Sequence, residues 1–282
     1  MEDKEMAPKN KQAIMEKMHE VHGEVLVGHE FLIKNDWGWL RRRQALYEYH
    51  VTRESALPRK MKEIIFAVAN AVRMPRTETA RYIKKHIRAG LKAGATPREF
   101  IEAFECTIHP TGEGTVLVGI NCLREVLEED GIPVDSNEGA RLAAEEEQTE
   151  PVHTDRKTLE DNQLQIHGYV LPEHKYIMDH NWDWVIRSHD FFNYNVMREG
   201  ALPRKMRSIV VVSALCVRIP GIEGEKYIRN HMGQAMKAGA TEAEIFDALQ
   251  TAQFPCGGPT MLVGIKSLMA VVKELKEKEG SA

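Results

Sequence analysis

Apolar residues recur along this chain at the spacing of one helix face. After Pro58 they stand at i, i+3, i+4, i+7 and i+11, namely at Met61, Ile64, Ile65, Val68 and Val72. This spacing places them on one side of an α-helix. No stretch alternates between apolar and polar residues for long enough to indicate a β-strand. The pattern therefore predicts an all-α protein.

Local signals mark where further helices begin and end. A second amphipathic segment carries His86 and stops at Gly94, because glycine adopts the left-handed conformation after a helix at little cost. Thr96-x-x-Glu99 then opens another helix as a capping box, in which hydroxyl and carboxylate each bind an otherwise unpaired amide. More helices are predicted over about Lys11–Leu26, Trp37–Tyr49 and Thr115–Glu129.

The chain repeats itself with a constant shift. Residues 56–61 (ALPRKM), 93–96 (AGAT) and 117–120 (LVGI) recur at 201–206, 238–241 and 262–265, and each pair is 145 residues apart (201 − 56, 238 − 93, 262 − 117). Such a period is too long for a solenoid unit and indicates a duplicated domain. We expect one copy over residues 11–130 and a second over 159–278. The intervening 131–158 has linker composition, with a short helix predicted at Glu138–Gln148.

Composition and charge narrow the possible partners. Hydrophobic residues make up 43% of 282 residues, and the formal net charge is −4 with a pI near 6.3. The lack of a basic excess predicts no nucleic-acid partner. No apolar run reaches the roughly 18 residues of a membrane span, and the charged start Met1–Glu5 resembles no secretory signal. Four cysteines without a Cys-x-x-Cys pair favour a cytoplasmic protein with reduced thiols.

The helix around His86 carries the most informative motif. A histidine inside a helix, a stretch of small residues and then Gly-Ala-Thr-x-x-Glu occur over Tyr82–Glu99, and again over Tyr227–Glu244 around His231. This arrangement resembles the carboxymuconolactone decarboxylase family, which includes the alkylhydroperoxidase D branch. Residues 256–259 (CGGP) supply the Gly-Gly-Pro-like turn of the family, and residues 111–114 (TGEG) match it less well. The resemblance covers about residues 50–129 and 195–274.

The resemblance implies an all-α fold whose units assemble as trimers or hexamers. Two fused units then imply a homo-oligomer, a trimer of tandem chains that imitates a hexamer. The peroxidase branch carries Cys-x-x-Cys just before the histidine, but the positions here are occupied by Thr79, Tyr82, Gly224 and Tyr227. A thiol peroxidase is therefore disfavoured, since the thiolate is the nucleophile. We interpret the four cysteines as core or loop residues.

The resemblance further implies a cofactor-independent lyase, a decarboxylase without metal or organic cofactor. Its substrate is expected to be a small carboxylate, a lactone or unsaturated acid from the catabolism of aromatic compounds. His86 and His231 stand at the family's histidine position and are the expected proton-transfer residues. Two alternatives stay open: an isomerase or hydratase using the same pocket, and a non-catalytic helical assembly or binding protein.

Other repeated residues are weaker candidates for lining the pocket. Arg73 and Arg218 offer bidentate binding to a carboxylate, although a cation at a helix C-terminus is also favoured by the helix dipole. Arg59 and Arg204, at the start of the same helices, are further candidates for binding the carboxylate. Glu78 and Glu223 precede the histidines by two turns and either orient them or lie on the surface. The glutamates of the two capping boxes, Glu99 and Glu244, are assigned to structure.

A second histidine set also recurs, outside the family motif. His22 and His29 match His167 and His174, and residues seven apart share a helix face if one helix continues that far. We expect these four to line the active site. A three-nitrogen metal site with His86 is the less favoured alternative. For the recurring pairs Trp37/Trp39 and Trp182/Trp184 core packing is the default expectation. Residues two apart do not share a helix face, so the alternative is that one of each pair packs inward and the other caps a pocket or a subunit contact.

Overall fold

The protein is all-helical. The computed structural model describes residues 11–22, 25–73, 77–133, 155–167, 170, 172–218 and 222–279, with the backbone alone at 21–22, 77–79, 162, 165–167, 222–224 and 278–279. Every regular element in these ranges is a helix, so the predicted fold class is confirmed. None of these helices combines the length and the apolar character that crossing a membrane requires.

The helices of the first copy cover most of the described residues up to Gly131. They are α1 (Lys11–His22), α2 (Val27–Asn35), α3 (Trp37–Tyr47) with a π-helical turn (Glu48–Thr52), α4 (Arg59–Arg73), α5 (Thr77–Lys92), α6 (Pro97–Glu105), α7 (Ile108–Thr111) and α8 (Glu113–Asp130). Both predicted helix signals between α5 and α6 are present. Gly94 has a φ of +90°, and Thr96 and Glu99 form both halves of the capping box.

The second copy repeats this order. Its elements are α9 (Arg156–His167), α10 (Pro172–His180), α11 (Trp182–Phe192) with a π-helical turn (Asn193–Met197), α12 (Arg204–Arg218), α13 (Ile222–Lys237), α14 (Glu242–Cys256) and α15 (Gly258–Glu279). The bounds of α12 and α13 lie 145 residues after those of α4 and α5 (204 − 59, 222 − 77). Thr241 and Glu244 form the equivalent capping box, and α6 and α7 are replaced by the single helix α14.

The segment before α2 differs from the sequence prediction. Helix α1 ends at His22, Leu26 is extended (φ −67°, ψ 144°), and α2 begins at Val27. His22 and His29 therefore lie on two separate helices, and the expectation that they share one helix face is wrong, because the backbone at Leu26 is extended between α1 and α2. His167 and His174 likewise lie on two helices, at the end of α9 and within α10. The side chains of His22 and His167 lie outside the described residues.

Both copies contribute to one large hydrophobic core. Every residue of α4 from Met61 to Val72 is buried, and α4 packs against α5 and α8 as well as against α12 and α14 of the other copy. Smaller clusters around Ile14 and Leu159 hold the N-terminal helices of each copy. The central core is continuous across the two copies, so neither copy buries its apolar face alone.

Two equivalent hydrogen bonds fasten the copies together. The Leu57 amide donates to Asp247 Oδ2 (3.0 Å), and the Leu202 amide donates to Glu102 Oε2 (2.8 Å). Glu102 also forms an ion pair with Arg207, and both side chains are buried. Burial raises the pKa of Glu102, but the Leu202 amide and Arg207 outweigh it, so that the pKa lies below its ordinary value. This carboxylate is therefore held charged inside the core.

The segment between the copies is only partly described. Residues 134–154, which include the predicted helix Glu138–Gln148, lie outside the described ranges. Helix α9 begins at Arg156, where Asp155 accepts a hydrogen bond from the Thr158 amide at 2.9 Å. The helix thus begins inside the segment predicted as linker. The division into 11–130, 131–158 and 159–278 stays a prediction.

Candidate active site

A cavity of about 240 Å³ lies between the first copy and the end of α14. We call it the first-copy cavity. Its lining includes the aromatic rings of Tyr47, Phe66 and Phe254, and it also includes His86. Phe254 comes from the second copy, so the cavity exists only because the two copies pack together. The cations that line it are Arg43, Arg73 and Lys85.

His86 is held by a carboxylate from the neighbouring helix. Its Nδ1 lies 2.7 Å from Glu63 Oε2 on α4, and both side chains are buried. The Phe66 ring stacks on the imidazole with 3.7 Å between the ring centroids. A carboxylate only accepts hydrogen bonds, so the hydrogen sits on Nδ1 of the neutral ring. Nε2 is then the unprotonated nitrogen of the ring.

The charge state of His86 follows from these surroundings. Burial lowers the pKa of His86, and the hydrogen bond and charge of Glu63 raise it only in part. The net shift is downward, so the resting ring is neutral at neutral pH. Such a ring next to a carboxylate can take up a proton and be stabilised as the cation, as general acid–base catalysis requires.

Glu63 was not predicted from the sequence. Glu78 was left as either an orienting partner of His86 or a surface residue, and the ring nitrogen binds Glu63, because α4 packs face to face with α5. The side chain of Glu78 lies outside the described residues. Arg59, one turn before Glu63, places its Nε 3.5 Å from Glu63 Oε1 and offsets the buried charge. Arg59 thus stabilises Glu63 and does not line the cavity.

Two arginines of the cavity have no acidic partner among the residues that the structure describes. The Arg43 guanidinium lies over the rings of Tyr47 (5.1 Å) and Phe254 (4.8 Å). In the part of the chain that the structure describes, no carboxylate comes within ion-pair distance of Arg43 or of Arg73, which lies at the end of α4. Burial lowers the pKa of Arg43, as expected of a cation without a counter-charge. An anionic ligand would supply that charge.

His29 lies beside the cavity without lining it. Burial, with the charges of Arg43 and Lys85, lowers the pKa of His29 to about 4. The ring of His29 is therefore neutral. After burial, the positive charges of Arg43 and Lys85 at this end of the cavity contribute to the lowered pKa. His29 is not among the residues that line the cavity, so its predicted role in the lining is not seen in the structure.

The second copy has the equivalent histidine, but the residues around it differ from those around His86. His231 on α13 is half-buried, with its ring centroid 6.2 Å from that of Phe192. Arg218 is exposed at the end of α12, and the side chain of Glu223 lies outside the described residues. The residues equivalent to Glu63, Arg43, Lys85 and Tyr47 are Ser208, Ser188, Asn230 and Phe192. The two copies therefore do not offer the same chemistry.

A smaller cavity of about 120 Å³ lies in the second copy, between α9, α10 and α11. We call it the second-copy cavity. His174 lines it and His231 does not. Trp184 also contributes to its wall and is half-exposed, which fits the alternative of a tryptophan at a pocket and not the default of core packing. Within the described ranges, no three His, Cys, Asp or Glu side chains are arranged to hold a metal ion.

The cysteines are unsuited to redox chemistry. All four are free, and three of them are buried. Burial raises the pKa of Cys122 to about 11 and those of Cys216 and Cys256 to about 12, and it raises the pKa of Cys106 still further. At neutral pH these thiols stay protonated and unreactive.

Comparisons with known proteins agree with the motif around His231. Residues 190–268 match the model of the carboxymuconolactone decarboxylase family, which confirms the resemblance. A solved structure from Burkholderia xenovorans LB400, provisionally named a gamma-carboxymuconolactone decarboxylase subunit, is 20% identical with a TM-score of 0.59. The match covers 98% of this chain and 100% of that chain, and at this identity it shows a shared fold. No curated protein matches the chain.

Proposed function

We propose that the protein is a cofactor-independent lyase, because residues 190–268 match the model of the carboxymuconolactone decarboxylase family. It removes carbon dioxide from a small carboxylated substrate, an unsaturated acid or lactone, in the first-copy cavity. One observation carries the proposal. The buried His86–Glu63 pair shares a cavity with two arginines that lack a carboxylate partner in the described residues.

Each part of the cavity has a role in this reaction. Arg43 and Arg73 bind the anionic substrate, since a guanidinium pairs with a carboxylate in bidentate geometry. Tyr47, Phe66 and Phe254 exclude water and hold an apolar ring. Their low-polarity surface strengthens the electrostatic interactions of the arginines with the charge that develops during the reaction.

The proposed chemistry is balanced without a cofactor. The bond between the carboxylate and the ring carbon breaks, CO2 leaves, and the electron pair is delocalised onto the unsaturated carbonyl system. His86, protonated at Nε2, then gives its proton to the carbon skeleton, and the ring recovers a proton from water. Glu63 holds Nδ1–H in place and stabilises the protonated ring. One proton is consumed for each CO2 released.

The proposal places catalysis in the first copy alone. The sequence led us to expect proton transfer by both His86 and His231. In the second copy Ser208 replaces the carboxylate that would bind the histidine, and Ser188 replaces one substrate-binding arginine. The second copy therefore offers neither the carboxylate nor the arginine at the positions equivalent to Glu63 and Arg43.

The test is release of CO2 from gamma-carboxymuconolactone and related unsaturated lactone acids by the purified full chain. We expect turnover that His86→Gln abolishes, and Arg43→Gln should raise KM because a substrate-binding cation is lost. Absence of CO2 release across this substrate panel, or full activity of His86→Gln, would contradict the proposal. Circular dichroism checks that each variant is folded.

A second candidate, an isomerase that moves a proton within an unsaturated acid, is favoured by one observation. The lowered pKa of His86 makes its resting form a proton acceptor. The pH dependence of kcat/KM separates the two candidates, since it reports the free enzyme. For a lyase that uses protonated His86, kcat/KM falls as the pH rises through the lowered pKa; for a base-initiated isomerisation it rises there.

We also propose a homo-oligomer of tandem chains. Leu117 on α8 and its equivalent Leu262 on α15 are exposed by 51% and 71%, so both copies present an apolar side chain at the same position. Burial of such positions between chains would stabilise an assembly. Light scattering of the eluting protein should give three chain masses; a monomer at micromolar concentration would contradict this.

A further inference from the structure

One face of α4 contributes three side chains to the first-copy cavity. Phe66, Asn70 and Arg73 stand at i, i+4 and i+7, and all three belong to the cavity lining. Residues at this spacing share a helix face. Asn70, which is only 8% exposed, thus lies between the ring that stacks on His86 and an arginine.

The amide group of Asn70 is held in one orientation. Its Nδ2 donates a hydrogen bond to the backbone carbonyl oxygen of Phe66, one turn earlier, at 2.9 Å. A carbonyl oxygen only accepts hydrogen bonds, so Oδ1 is the other end of the amide. Oδ1 accepts no hydrogen bond from any residue that the structure describes, yet it is not one of the unpaired side-chain atoms that are closed off from solvent. Oδ1 is therefore open to the cavity that Asn70 lines.

This acceptor differs from the charged groups of the cavity. Arg43, Arg73 and Lys85 are cations that only donate hydrogen bonds, which suits a carboxylate. Asn70 Oδ1 can be satisfied only by a donor. Because a positively charged donor such as an ammonium group would be repelled by the three cations, the group that fits Oδ1 is a neutral hydroxyl.

The amide is not needed to pack this helix. Leu215 of α12 stands 145 residues after Asn70, and it is buried in the core of the second copy. The arginine of the same face recurs as Arg218. An apolar side chain of similar size therefore fills this position where the His86–Glu63 pair has no equivalent, and the amide is present in the copy that has the pair.

From these features we infer that Asn70 determines specificity in the first-copy cavity, by accepting a hydrogen bond at Oδ1 from a hydroxyl of the substrate. The substrate class is then a hydroxylated carboxylate, whose carboxylate binds the arginines. Asn70 and Arg73 are about 4.5 Å apart along the helix axis, at about 1.5 Å per residue, so the hydroxyl and the carboxylate bind on neighbouring turns. The inference rests on the anion-binding part of the proposed function and not on decarboxylation.

Isothermal titration of the full chain with ring carboxylates tests the inference. The probes are meta- and para-hydroxybenzoate, and the matched ligands are meta- and para-fluorobenzoate, which are of similar size but cannot donate. The cavity of about 240 Å³ admits one ring, since about 150 Å³ accommodates benzene. We expect at least one hydroxybenzoate to bind about fivefold or more tightly than its fluoro counterpart, through one added hydrogen bond. In Asn70→Leu the two affinities should agree within about twofold, because the acceptor is removed.

Arg43→Gln is the control variant in the same cavity. It should weaken the hydroxy and the fluoro ligands alike and leave their ratio unchanged, because it removes a charge and not the acceptor. Asn70→Ala keeps the test valid if leucine crowds the cavity, and it should abolish the preference in the same way. Equal binding of hydroxy and fluoro ligands by the wild type, or a preference that survives in both Asn70 variants, would overturn the inference and leave the anion site standing. Failure of every ligand to bind at millimolar concentration would overturn the anion site and the inference with it.

Discussion

Replacing Glu63 by glutamine should change the acid–base behaviour of His86 without removing its hydrogen bond. The amide oxygen of glutamine can still accept from His86 Nδ1–H, which is now 2.7 Å from Glu63 Oε2, but the negative charge is lost. Both the hydrogen bond and the charge of Glu63 raise the pKa of His86 against the effect of burial. The pKa of His86 should therefore fall further in Glu63→Gln.

The size of the effect follows from the kind of hydrogen bond. A bond to a charged group contributes about 1.5–3 kcal/mol and one to a neutral group about 0.5–1.5 kcal/mol. The difference of about 1–2 kcal/mol should appear in the transition state, where His86 carries a positive charge, and corresponds to about 5- to 30-fold in kcat/KM. The fold should survive, because Arg59, the other partner of Glu63, is one-third exposed and can be solvated.

The assay is kcat/KM for CO2 release measured from pH 4.5 to 8.5. The change in kcat/KM with pH that is due to the titration of His86 should move to lower pH in Glu63→Gln. A merely structural role for Glu63 would not produce this change. Ser208→Ala, at the equivalent position of α12, is the matched control and should leave rate and profile within twofold of wild type. If Glu63→Gln keeps both the wild-type kcat/KM and the wild-type dependence of kcat/KM on pH, the role assigned to Glu63 is refuted.

Three further predictions concern stability and thiol reactivity. Glu102→Gln should lower the free energy of unfolding in urea by about 3–5 kcal/mol, because it leaves the buried Arg207 charge without its partner; an unchanged midpoint would contradict this. Since the pKa of Glu102 is lowered on folding from 4.5, its contribution is full above that value and is lost as the pH falls through the folded pKa, so Glu102→Gln should be less sensitive to acid than wild type below pH 4.5. Gly119→Ala should destabilise by about 1–3 kcal/mol, because a Cβ there would lie 2.2–2.5 Å from the Phe104 ring, and a Tm equal to wild type would show that the ring moves aside. Iodoacetamide at pH 8 should label the native protein far more slowly than the urea-unfolded protein, since burial raises the thiol pKa values; rapid native labelling would contradict that. The thiols concerned are Cys106, Cys122, Cys216 and Cys256.

The helices could be predicted because their signals are local. The apolar spacing from Met61 to Val72 gives α4, and Gly94 and Thr96 mark the end of one helix and the start of the next. The break before α2 shows the limit of this reasoning. A histidine spacing of seven fits one helix face, but the backbone at Leu26 is extended, so spacing alone does not establish that a helix continues.

The site could be predicted only in part, because tertiary packing decides it. His86 was recognisable from its motif, whereas Glu63 stands in a helix that is buried on every side, and nothing local indicates which neighbour its carboxylate meets. Phe254 reaches the cavity from the other copy, a contact that no local pattern predicts. The comparison of the copies did contain a signal. Charged residues such as Arg43 and Glu63 face serines 145 positions later, while His86 is kept as His231. In a duplicated chain, positions where only one copy is charged point to the copy that retains the site.

The most direct test of the account compares two single variants, His86→Gln and His231→Gln, in the same CO2-release assay. Both histidines stand at equivalent positions of α5 and α13. His86 binds the buried carboxylate of Glu63 and lines a cavity with two arginines, whereas a serine, Ser208, stands at the position equivalent to Glu63. The account predicts loss of turnover in His86→Gln and turnover within twofold of wild type in His231→Gln. Equal losses in the two variants, or a loss confined to His231→Gln, would contradict it.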